Sequence, residues 1–145
     1  MNRYTFKVYP AGWGSEAYRT FEMSGKETLD KLCEYILEVF DFYHEHLYEF
    51  CMDNKMYSDS SYQYQPEYGE PSTNIAIDKL GLVKGQIFSL HYDFGDDWMF
   101  RIRVQKIEEV TKKERPKLLK SKGKVEQYPD WDEEDGEDGE EGEKE

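Results

Sequence analysis

Between residues 86 and 108, apolar side chains recur at every second position in two runs: Phe88, Leu90, Tyr92 and Phe94, then Trp98, Phe100, Ile102 and Val104. Such alternation marks a half-buried strand, and two runs this close together read as an antiparallel hairpin. If both apolar sets share one face, the numbers of paired positions must sum to an even value. A two-residue turn at Gly95-Asp96 pairs Phe94 with Asp97 and sends every apolar group to the wrong side. A three-residue loop, Gly95-Asp96-Asp97, pairs Phe94 with Trp98, Tyr92 with Phe100 and Leu90 with Ile102. That register sets His91 opposite Arg101, Ser89 opposite Arg103 and Asp93 diagonal to Arg101.

The rest of the chain is read around this hairpin. Residues 3–10 and 17–23 alternate in the same way on either side of a glycine-containing turn, an amino-terminal hairpin. Leu29, Leu32, Cys33, Ile36, Val39 and Phe40 form one helical stripe, with Ser24 to Glu27 or Thr28 as candidate caps. His46 to Asp53 alternates as a third strand, residues 58–72 read as a surface loop, and the segment from Ile75 to Leu82 reads as a single helical turn. Strand–strand–helix–strand followed by a hairpin predicts an α+β fold. Its one main helix packs on a mixed sheet of about five strands, with a β-grasp-like roll as topology.

Charge is arranged in blocks. The formal net charge is -13, yet Asp130 to Glu145 alone holds 11 acidic residues and one Lys. The preceding 129 residues carry only -3. Within them, residues 112–124 hold seven Lys or Arg against one Glu, here read as an irregular linker. The expected organisation is therefore a domain over 1–111, a basic linker with a short ordered segment over 112–131, and a disordered acidic tail over 132–145. No apolar run reaches the roughly 20 residues that span a bilayer, and the amino terminus leads into no signal peptide. Cys33 and Cys51 make neither a metal spacing nor a disulfide framework. A reduced, cytoplasmic protein without membrane contact is expected.

Several clusters could carry chemistry. Asp93, Asp96 and Asp97 at the hairpin tip are turn-forming residues that could also offer oxygen ligands to a hard cation. His44 and His46 would face one side of a strand, but no third His or Cys completes a zinc site. There is no nucleophile elbow and no phosphate-binding glycine loop, so no reaction is read and no cofactor is expected. Lys112, Lys113, Arg115, Lys117, Lys120, Lys122 and Lys124 could neutralise several phosphates, and the acidic tail could compete for the same charges.

The segment Tyr92-Asp93-Phe94-Gly95-Asp96-Asp97-Trp98 resembles the signature of the plasmid pRiA4b ORF-3-like family. The helix after Thr28, the stretch His46 to Phe50, the approach Gly85 to Phe88 and the segment from Gly123 to Trp131 fit the same resemblance. Members are often labelled insertion-element passenger proteins, and the resemblance implies no established reaction. Many have His two positions after the tryptophan, where this chain has Phe100, so a packing role is expected for that position. The functional expectation is a non-enzymatic binding or interaction module of unknown partner, with Tyr92, Asp93, Asp96, Asp97 and Trp98 as the candidate binding face. The alternative is a nucleic-acid-associated accessory of a mobile element, and a third reading is a metal-dependent enzyme.

Overall fold

The computed structural model describes residues 1–128. The short segment expected through Trp131 and the acidic tail therefore lie outside the described residues, apart from the part before residue 129.

Among the described residues seven strands form one sheet: β1 (Asn2–Pro10), β2 (Tyr18–Ser24), β3 (Tyr48–Cys51), β4 (Ser61–Gln63), β5 (Ile87–Tyr92), β6 (Trp98–Glu109) and β7 (Lys117–Lys122). Their spatial order is β4-β3-β5-β6-β1-β2-β7, and every neighbouring pair is antiparallel. The expected mixed sheet of about five strands is thus corrected. A β-grasp-like roll needs a parallel neighbour beside the first strand, whereas β1 runs antiparallel to both β2 and β6. Among the described residues the fold is a large antiparallel sheet carrying a single α-helix, with a short 3-10 helix at Ile77–Leu80. The two added strands come from the expected loop at 58–72 and the expected linker at 112–124. Both sit at sheet edges, where polar and charged side chains are tolerated and the apolar alternation that reveals a strand is not required.

Helix α1 (Leu29–Val39) buries Leu29, Leu32, Cys33, Ile36 and Leu37. Of the two candidate caps, Thr28 serves: its hydroxyl accepts the Lys31 N–H at 3.2 Å. At the other end Asp41 takes a left-handed φ of 63°, its N–H reaching the Glu38 carbonyl while that of Phe42 reaches Leu37. This is a Schellman closure, and it satisfies carbonyls that would otherwise be orphaned. Arg19 on β2 ties this end to the sheet. Its Nε donates to the Val39 carbonyl at 2.8 Å and its guanidinium lies 4.6 Å from the Phe40 ring centroid.

The core lies between α1 and one face of the sheet. Tyr4, Phe6, Phe21, Tyr48, Phe50, Phe88, Leu90, Tyr92, Phe100, Ile102 and Val104 are all buried there. Phe6 packs edge-on against Phe21 and Phe88, an arrangement that aromatic quadrupoles favour.

The central hairpin keeps the expected phase but not the expected register. Tyr92 pairs with Trp98, Leu90 with Phe100 and Phe88 with Ile102. Parity holds, so the apolar set does share a face, but the connection is the five residues Asp93 to Asp97 and the pairing is displaced by two positions. Asp93 and Asp97 both adopt left-handed backbone, φ 67° and 53°, which ends β5 before Phe94. Ser89 therefore meets Arg101, and His91 meets Met99.

Candidate functional site

The hairpin tip is built from internal contacts. The Asp93 carboxylate accepts the N–H groups of Gly95 at 3.0 Å and Asp96 at 3.4 Å, closing the turn on itself. Its other oxygen lies 3.5 Å from His46 Nε2. Tyr92 is fully buried; its hydroxyl accepts from the N–H groups of Glu45 and His46 and donates to the Tyr43 carbonyl. Trp98 packs edge-on to Phe42 and stacks on Phe100. Asp96 is exposed and accepts no hydrogen bond among the described residues. Asp93→Ala, which removes two turn bonds at a left-handed position, is expected to cost about 1–2 kcal/mol. Asp96→Ala should stay within about 0.5 kcal/mol. Thermal melting of the two variants checks that order.

The two candidate histidines do not converge. His44 leans on the rings of Tyr48 and Tyr92, while His46 Nε2 lies 2.7 Å from the Tyr128 hydroxyl. Among the described residues, no group of three or more His, Cys, Asp or Glu is placed to hold a metal ion.

The structure instead brings together a trio that sequence reasoning missed. His91, fully buried, places Nδ1 2.7 Å from Glu49 Oε2 and Nε2 2.6 Å from Asp97 Oδ1. Ionised carboxylates only accept, so this geometry suits an imidazolium with a proton on each ring nitrogen. Burial pulls the His91 pKa down, but the bonds to Glu49 and Asp97 outweigh it and hold it above its ordinary value. For Glu49 burial pushes upward. Bonds from His91, the Tyr57 N–H and Gln63 overcome that and leave the carboxyl below its usual range. The Tyr57 and Phe94 rings close over the imidazole at 5.1 and 4.8 Å between centroids. Beside it Arg101 donates to Ser89 Oγ at 2.8 Å and to the Asn54 carbonyl at 3.2 Å, fastening the loop after β3 across this half of the sheet. The trio ties the loops that carry Tyr57 and Asp97 to the sheet.

The other half of that sheet face, over β7, β2, β1 and β6, has a different character. Directly paired residues point to the same side, which sorts the outward side chains into rows. One row holds Lys122, Tyr18, Tyr9 and Arg101; the next holds Lys120, Thr20, Lys7 and Arg103. Lys117 continues the edge opposite Glu22. Lys7, Lys84 and Arg103 line a concavity of about 340 Å³. None of Lys7, Lys84, Arg101, Arg103, Lys117, Lys120 or Lys122 has a carboxylate within 4.0 Å among the described residues. Of the other basic residues in the 112–124 stretch, Lys113 lies 3.7 Å from Glu27, while Arg115 and Lys124 line separate hollows beside α1. Lys112 is exposed. Glu22 and Glu108, toward the other end of β1, are both drawn to Arg3.

Fold and surface together define a domain built around one antiparallel sheet, helix-covered on one side and presenting cations on the other. The family model for plasmid pRiA4b ORF-3-like protein matches residues 2–130, and the chain belongs to that family. It is similar in structure to a protein of unknown function from Methanosarcina mazei Go1, with a TM-score of 0.68 at 22% identity. That likeness covers 83% of this chain and 69% of the other, and it concerns the fold alone. No curated protein matches the chain. Among the described residues no helix is long and apolar enough to cross a membrane.

Proposed function

We propose that this chain is a non-enzymatic interaction module whose partner is a polyanion held on the outward face of β7, β2, β1 and β6. The observation that carries the reading is the set of cations on that face, each without a carboxylate partner among the described residues. Exposed cations without carboxylate partners keep their counterions, and releasing these to a polyanion drives association. The Asp93–Trp98 tip is the weaker candidate, because Asp93 closes its own turn, the Asp97 carboxylate is held by His91 and the tryptophan packs inward. The same face favours a role as a nucleic-acid-associated accessory, including one carried by a mobile element. Buried, unpaired Cys33 and Cys51 suit a reducing compartment such as the cytoplasm.

Retention of the full chain on an immobilised sulfated polysaccharide, eluted with rising salt, tests this reading. Wild type should need substantial salt, and a Lys7→Glu, Arg103→Glu, Lys120→Glu variant should elute at low salt with unchanged melting. Equal elution of the two proteins would remove the outward face as the polyanion site.

A further inference from the structure

The middle of the cationic face is aromatic, and this narrows the partner. Tyr9 on β1 and Tyr18 on β2 take the position one step beyond the Val8–Arg19 pair, side by side on the outward face. Across the sheet they are flanked by Lys122 on one side and Arg101 on the other. Neighbouring strands lie about 4.8 Å apart, so this row of four side chains spans roughly 14 Å. The two rings are held in place. Lys7 Nζ sits 4.4 Å from the centroid of the Tyr18 ring and 6.0 Å from that of Tyr9. Gly14, in the loop joining β1 to β2, lies so close to Tyr9 that an added Cβ would touch ring atoms at 3.4 Å. Both tyrosines remain partly open to solvent, and the same loop exposes Trp13.

We propose that the polyanion is a single-stranded nucleic acid, its bases stacked on Tyr9 and Tyr18 and its phosphates met by Lys7, Arg103, Lys120 and Lys122. This rests on the polyanion reading and adds the base-stacking platform to it. Unpaired bases offer their flat faces to aromatic side chains while a cationic surface tracks the backbone. A duplex hides those faces inside its stack, leaving the tyrosine pair nothing to contact. An acidic peptide would use the cations but gains little from two adjacent rings. Glu22 and Glu108, held by Arg3, lie toward the opposite end of β1 and bound the surface there.

Fluorescence polarisation with the full chain tests the proposal, using labelled dodecathymidylate, an abasic oligomer of equal length, a duplex of equal length and polyglutamate. Dodecathymidylate should bind at least about 10-fold more tightly than the abasic oligomer, reflecting base–aromatic stacking. Tyr9→Leu and Tyr18→Leu should each weaken it by roughly 5- to 100-fold, while Tyr9→Phe and Tyr18→Phe, which keep the ring, should bind like wild type. Equal affinity for the abasic oligomer would overturn the stacking platform and leave a polyanion surface. Tighter binding of the duplex or of polyglutamate would overturn single-stranded nucleic acid as the partner. Failure to bind all four probes at low salt would overturn this proposal and the polyanion reading together.

Discussion

Replacing His91 with alanine is expected to cost about 3 kcal/mol, because it strands the Glu49 carboxylate in the interior without its cation. For a domain of this size that corresponds to a melting temperature lower by roughly 10 °C. The pH dependence distinguishes this loss from simple loss of packing. His91 has a raised folded pKa, so its contribution is complete below the ordinary histidine value of about 6.5 and fades as pH rises through the folded value. Glu49 has a lowered one, so its contribution is complete above the ordinary carboxyl value of about 4.3 and fades as pH falls through the folded value. Wild-type stability should therefore be greatest between about pH 4.5 and 6.5, from these two groups, and decline on the alkaline side. In His91→Ala the alkaline decline due to histidine disappears. Glu49 keeps the Tyr57 and Gln63 bonds but loses its cation, so its ionised form is less favoured and the variant's stability above the carboxyl range falls relative to wild type. Replacing Glu49 and His91 together by leucine should cost less than His91→Ala alone, since no buried charge is then left. Urea unfolding across pH measures all three. A pH profile in His91→Ala that superimposes on wild type would show that the trio contributes nothing to stability.

Phe100→Ala should be at least as damaging. The ring is fully buried and sits among Phe40, Phe42 and Trp98 at centroid distances of 5.2, 5.4 and 6.1 Å. Truncation removes its transfer free energy and leaves a cavity that three rigid rings and the end of α1 cannot fill, about 3–5 kcal/mol in all. Phe100→His adds a different penalty. Its nitrogens would enter an apolar site lacking any partner, and an unsatisfied buried polar group costs about 1–3 kcal/mol. A chain carrying His at this position needs compensating polar groups that this core does not offer. Calorimetric melting checks both, and a Phe100→His variant as stable as wild type would contradict a purely apolar environment.

These two positions also show what a single sequence reveals and what it hides. The inward direction of Phe100 was legible because alternation alone decides which face a strand residue takes. The exact pairing was not, because it depends on where the strands stop. Phe94 continues the apolar alternation and so reads as strand, yet Asp93 turns left-handed before it and Phe94 ends against the His91 ring. The outward direction of His91 was equally legible, but its partner was not. Glu49 lies 42 residues earlier on β3, and only the strand order brings the two together. Strand β7 was hidden for the opposite reason. Every one of its side chains is exposed, so its sequence carries charge and no pattern. The basic stretch was visible as composition; its alignment with Lys7, Tyr9, Tyr18 and Arg103 required the sheet.

The central claim is that the outward face of β7, β2, β1 and β6, and not the Asp93–Trp98 tip, meets the partner. Backbone amide chemical shifts of the isotope-labelled full chain, titrated with dodecathymidylate, test this most directly. Perturbations should concentrate at Lys7, Tyr9, Tyr18, Arg103, Lys120 and Lys122. Perturbations confined to residues 93–98, or none at saturating oligonucleotide, would contradict it.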